Sequence, residues 1–273
     1  EMVVHDGLLD PRQAEVVYRM AAFQRLAHLQ ALVEIHHQVH VAAHDPDDAR
    51  QISYLARDQH GEPVFLNRAL TDADMVLPIG VVRDGECPGC FGIHELLFPT
   101  FSNLKGCEAF RSPEAYRSRG KLRRRLLTEV EDVAWLLGVN FTIQVVSGGG
   151  DRVLRVLAGE PLAVREEAQQ AHRAAWGSRA PNCADLVVAA IEGGDQQQTW
   201  AALGRALSAA IPLVAAEGAI AVCCGVGGNP GPGVKSLCDV ASPEEAYQRL
   251  RRHRFPDMMP AMAMVSALQA GRG

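Results

Sequence analysis

No stretch of about 20 uninterrupted apolar residues occurs in the sequence, which excludes a transmembrane helix. Basic charge is not in excess either. Lys and Arg number 27 against 32 Asp and Glu, a net charge of −5. That balance gives no global attraction to nucleic acid or to an anionic membrane. Internal repeats and low-complexity tracts are missing. The opening EMVVHDGLLD has neither the basic start nor the apolar run of a secretion signal. It also lacks an initiator Met, as in a fragment or a processed product. Cysteine is sparse and odd in number, seven in 273 residues, so no dense disulfide framework is expected and at least one thiol has no partner within the chain. A reducing cytoplasm is the expected location, where close Cys pairs signal metal or redox chemistry. What is present is apolar content of 48%, enough for a substantial core in one large domain or two of ordinary size.

The apolar spacing sets the expected elements. Residues 11–35 carry a three- and four-residue rhythm and predict a helix behind Asp10 and Pro11. VHVAA at 39–43 and DMVLPIGVV at 74–82 predict strands. Residues 121–137 predict a helix, and FTIQVVS at 141–147 predicts a strand that turns through GGGD into VLRVLAG. PLAVREEAQQAHRAAW predicts a helix with Pro161 near its start. GSRAPNC, 177–183, predicts a linker between domains 1–177 and 184–273. Beyond it come strand DLVVAAI, helix QTWAALGRALSAAI, strand GAIAVCC, a Gly/Pro loop, and helices near 243–252 and 257–270. Strands alternating with helices imply α/β architecture with parallel pairing. Ligands in such folds sit at the carboxyl ends of strands, which singles out the loops 83–99 and 225–236.

The first loop reads GECPGCFGIHELLFP. Cys87 and Cys90 flank a Pro-Gly turn that can aim two thiolates at one ion, and His94 with Cys107 would complete a set suited to zinc. The alternatives are a turn flanked by small buried thiols, or a redox pair, which needs a helix N-terminus behind it. The second loop, GVGGNPGPGVKS, offers Gly225, Gly227, Gly228 and Lys235 as phosphate-cradling candidates. It departs from a P-loop because Val234 stands where the lysine belongs, and from a dinucleotide fingerprint because Pro230 replaces the third glycine. Its alternative is a plain connection. In HDPDD, His44 beside Asp45 could move a proton or hold a metal. The same residues suit an Asx-type turn. RSRGKLRRRLL, 117–127, is the one basic run. It could hold a phosphate-bearing ligand, but few aromatics accompany it and TEVED follows, as on a solvated helix face.

Taken in order, HDPDD, GEPVFLNRALTDADMVLPIGVV, the loop ending in LLFP, GVNFTIQVV, VLAGEPLAVREEAQQAH and the stretch from DLVVAAI to AVCC resemble the lactate racemase family. The resemblance spans most of the chain. It implies two α/β domains with a ligand cleft between them, and a nickel-pincer nucleotide as cofactor. It also implies a Glu-Pro-His run and a cofactor-bearing lysine in the first loop. Counting back from Pro99, this chain has Arg83, Asp84 and Gly85 for the run and Glu95 for the lysine. Arg111 falls where the family has a nickel-ligating His, and Leu9 stands at an early His. Leu203 and Ala206 replace a Gln and a Lys.

A carboxylate at 95 cannot form the family's amide link, and no acid/base pair is visible for two-base racemisation. The expectation is therefore a divergent relative acting on or binding a small 2-hydroxy acid or related organic acid, without lactate racemase activity. His44, Asp45 and Glu95 are its candidate catalytic groups. A small molecule is the expected partner, with no nucleic acid and no membrane. A non-catalytic metal- or ligand-binding relative, or a scaffold that kept the fold, are the alternatives.

Overall fold

The computed structural model describes residues 2–5, 15–19, 40–83, 88–149, 152–178, 180 and 182–270. Its first part runs β1 (Met2–His5), β2 (Glu15–Arg19), β3 (His40–His44), β4 (Ile52–Arg57), β5 (Pro63–Asn67), α1 (Arg68–Thr71) and β6 (Val76–Val81). A 3-10 turn (Ile93–Leu96) follows, then α2 (Leu104–Phe110), α3 (Pro113–Tyr116), α4 (Gly120–Leu136), β7 (Thr142–Ser147), β8 (Val153–Gly159) and α5 (Pro161–Trp176). The last part is β9 (Ala184–Ala190), α6 (Trp200–Ala210), β10 (Val214–Cys223), α7 (Pro232–Lys235), α8 (Pro243–Arg252) and α9 (Met258–Ala270). Two units pack separately. Glu1–Glu86, Cys90–Phe110 and Arg119–Gly177 form the first, and Cys87–Gly89, Arg111–Ser118 and Ser178–Gly273 form the second. Among the described residues no helix is long and apolar enough to cross a membrane.

The first unit is built on a sheet in the order β3-β2-β1-β6-β7-β8. The pairs β2–β3 and β6–β7 are parallel, whereas β1–β2, β1–β6 and β7–β8 are antiparallel. The α/β class expected from the sequence is present, with antiparallel pairs beside the parallel ones; β7 and β8, consecutive in the chain, pair as a hairpin. Two local expectations change. Glu15–Arg19 is a strand, not part of a helix, because the run Val-Val-Tyr is β-branched and aromatic. The rest of 11–35 lies outside the described residues. The hairpin β4–β5 is an addition that periodicity did not signal.

α4 and α5 position the loop that follows β6. In α4 the buried residues Leu126, Val130, Val133 and Ala134 follow a three-to-four spacing and form one apolar stripe. The helix stops at Gly138, whose φ of 68° is open to glycine. There the Val139 N–H reaches Ala134 O and the Gly138 N–H reaches Trp135 O, which satisfies the last carbonyls. α5 starts at Pro161 behind Glu160, whose carboxylate accepts from the Leu162 and Ala163 N–H groups at 3.0 and 2.8 Å. Leu70, Val76, Leu96, Leu97, Phe101 and Ala134 share one core, so β6, the 3-10 turn and α4 are tied together by burial.

In the second unit β9 and β10 are parallel, and α6 lies against both. Met258, Ala261, Met262 and Val265 of α9 pack with Leu250 and Tyr116 in its core.

Candidate functional site

β6 ends at Val81, at the carboxyl end of its parallel pair with β7, and the chain turns into the loop that the sequence marked. Phe91 anchors that loop. It is 2% exposed and meets Phe110 edge-on at 5.1 Å between ring centroids. Phe98 meets Phe110 in the same way at 5.2 Å. Arg123 of α4 fastens the loop from outside. Its Nη2 donates to Cys90 O at 2.8 Å, and its guanidinium lies 5.6 Å from the Phe91 ring.

Within this frame Glu95 is held from two sides. Its Oε2 accepts from the Phe91 N–H at 2.8 Å, and its Oε1 lies 3.8 Å from Arg83 Nη1. Thr100 Oγ1 donates to the Glu95 carbonyl at 2.7 Å. The Arg83 side chain is 58% exposed, so its charge faces solvent beside the strand end. His94 precedes Glu95 in the 3-10 turn and is half-buried. Burial pushes its pKa down. The carboxylates of Glu131 and Glu160 oppose that, and the Arg165 guanidinium adds to it. Burial thus favours the neutral imidazole. The loop offers a ring whose neutral form burial favours, a carboxylate already bonded, and a guanidinium at the solvent side.

The other sequence candidates lie elsewhere. Cys87 is outside the described residues. Cys90 is half-buried in the loop, while Cys107 is 1% exposed in α2 with its Sγ 3.1 Å from Pro99 O. Among the described residues no group of three or more His, Cys, Asp and Glu is arranged to hold a metal ion. His44 ends β3 and is 3% exposed. Its Nε2 is 3.0 Å from Ser102 O, which requires a proton on that nitrogen, and its Nδ1 accepts from Asn67 Nδ2 at 3.0 Å. Asn67 Oδ1 in turn caps α1 through the Ala69 N–H. The Asp45 carboxylate accepts from the Asp47 N–H at 3.0 Å, an Asx turn.

The Gly/Pro loop after β10 is occupied by the chain itself. Gly233 and Val234 donate their N–H groups to the Asp257 carboxylate at 2.7 and 2.9 Å. A Cβ on Gly231 or Gly233 would come within 2.4 or 2.8 Å of that carboxylate, so both positions need glycine. Lys235 is the exposed last residue of α7, and Gly227 and Gly228 are exposed. Gly225 donates to Gln198 Oε1 at 2.8 Å, while Gln198 Nε2 donates to Ile191 O at 2.8 Å. That one amide joins the ends of β9 and β10. Sequence reasoning missed Gln198 and Asp257, and it placed Arg123 in a basic run without its partner at Cys90. Each acts on a partner that no local motif connects to it, Asp257 across 24 residues.

No family model matches the sequence, and no curated protein matches it. Solved structures do match. The apoprotein of lactate racemase from Thermoanaerobacterium thermosaccharolyticum superposes with a TM-score of 0.72 over 88% of this chain, at 14% identity. This chain has the fold of lactate racemase. A protein from Thermotoga maritima superposes with a TM-score of 0.56 over 86% of the chain, at 15% identity. The chain spans 61% and 63% of the lengths of these two structures. At such identities the likeness is one of fold, and it agrees with the α/β expectation and with the fold that the family resemblance implied.

Proposed function

We propose that this chain is a divergent relative of lactate racemase that binds a small 2-hydroxy acid or related organic acid and does not racemise lactate. Glu95 carries the second half of that reading. The resemblance sets it at the position of the cofactor-bearing lysine, and a carboxylate cannot supply the amine for that link. Its oxygens are also engaged, by the Phe91 N–H and near Arg83. The nickel-pincer nucleotide implied by the family therefore does not fit this loop.

Arg83 supports the first half. Its guanidinium is exposed beside the strand end, and its planar fork has the geometry that holds a carboxylate in bidentate fashion. His94, whose neutral form burial favours, is the neighbouring group able to accept a hydrogen bond from a 2-hydroxyl.

The test is calorimetric titration of the purified chain with D-lactate, L-lactate and a longer 2-hydroxy acid. Binding in the millimolar range or tighter is expected for at least one. Arg83→Ala should weaken it at least tenfold while leaving the melting temperature within about 2 °C, since exposed pairs contribute little to stability. No binding of any of the three acids, or binding that Arg83→Ala leaves unchanged, would overturn the proposal.

A further inference from the structure

α4 carries its charge in the order that least suits a helix. Arg119 stands at the N-cap with no side chain capping the end, and the first turn contains no acidic residue. Lys121, Arg123, Arg124 and Arg125 follow, and the acidic groups Glu129, Glu131 and Asp132 come only in the second half. Cations at a helix N-terminus oppose the macrodipole. Like charges three and four residues apart repel. Lys121, Arg124 and Arg125 have that spacing, so they share one face, and all three are exposed.

None of the three forms an ion pair among the described residues. Arg125 feels the carboxyl of Glu129 one turn further on. Arg123 is different. It turns away to Cys90 O and the Phe91 ring, and so has a packing role that its three neighbours lack. In a chain of net charge −5 this face is a local exception, not a sample of a basic surface. Three cations held together against both the dipole and one another cost the helix stability, and an anion removes that cost.

We propose that the face formed by Lys121, Arg124 and Arg125 binds the phosphate group of a small molecule. A phosphate dianion matches the site better than a single carboxylate. It offers enough oxygens for two guanidinium forks and an ammonium group, and its charge offsets most of theirs. Among residues 119–125 the exposed apolar side chain is Leu122, and none of these residues is aromatic, so the helix itself offers no ring for a base to stack on. Recognition therefore stops at the phosphate, and a nucleobase adds nothing.

The experiment titrates the chain with inorganic phosphate, with ADP and with a single-stranded oligonucleotide, at fixed ionic strength and with chloride as control. The parent is compared with the triple variant Lys121→Gln, Arg124→Gln, Arg125→Gln. Phosphate and ADP should bind the parent within about threefold of each other and raise its melting temperature. The triple variant should bind both at least tenfold more weakly, and without ligand should melt at or above the parent. That opposite sign separates a binding face from a structural one. The proposal fails if phosphate produces no effect beyond that of chloride, or if the triple variant binds as the parent does. It also fails if the unliganded triple variant melts below the parent, or if only the oligonucleotide binds, which would make the face a nucleic-acid surface.

Discussion

Glu129 shows how one side chain can set a pH dependence. Burial raises its pKa from the ordinary 4.5 to about 7, with the charges of Asp58 and Asp132 adding to the effect and Arg125 opposing it. The folded state therefore holds a proton that the unfolded chain has released. Below pH 4.5 both states are protonated and the group contributes no difference. As pH rises from 4.5 through 7 the carboxyl must ionise where it is half-buried, and stability falls. Glu129→Gln keeps the shape without the charge. The variant should match the parent at pH 4 and exceed it at pH 8, by on the order of 1 kcal/mol after allowance for solvent screening, or about 2–4 °C. Thermal melts of both proteins at the two pH values check this; equal melts at pH 8 would contradict it. Nothing in TEVED announces the effect, because it depends first on burial in the folded chain and then on Asp58, which lies on the turn between β4 and β5, far away in the sequence. His44 makes the complementary point. Beside Asp45 it is legible as a proton-moving pair, yet its two nitrogens meet Ser102 and Asn67, 58 and 23 residues away.

At the level of elements, legibility followed local information. The helix at 161–176 was readable to the residue, because Pro161 and the apolar rhythm are both local signals. The strands β6, β7, β9 and β10 were readable as apolar runs bounded by turns. β4–β5 was not, since ISYLAR and PVFLN are short and only partly alternating, and the hairpin gains its pairing from the Asp58 turn, where the carboxylate accepts from the His60 and Glu62 N–H groups. The glycine run at 225–236 suggested an anion cradle at Gly225, Gly227, Gly228 and Lys235; the N–H groups that meet a carboxylate are those of Gly233 and Val234 in α7. That carboxylate is Asp257 of the same chain. Asp257→Ala would leave the buried Gly233 and Val234 donors without that acceptor and should destabilise by about 1–3 kcal/mol. Asp257→Asn, which keeps one acceptor, should cost less. Urea denaturation of the three proteins measures this. An alanine variant as stable as the parent would show that the carboxylate does not hold the loop.

For the whole molecule, the fold was legible from the order of segments even though sequence identity to the matching structures is only 14–15%. A fold depends on where apolar periodicity changes, and many sequences preserve that pattern. A site depends on a few named groups, and those are what the resemblance leads one to expect to differ here. Position 95 is the sharpest instance, a glutamate bonded to the Phe91 N–H where the resemblance calls for a cofactor-bearing lysine. Lactate interconversion by the purified chain, supplied with nickel-pincer nucleotide and followed by chiral chromatography from either enantiomer, tests this reading most directly. The account expects D- and L-lactate to remain unconverted at the background rate. Robust conversion of either enantiomer into the other would contradict it.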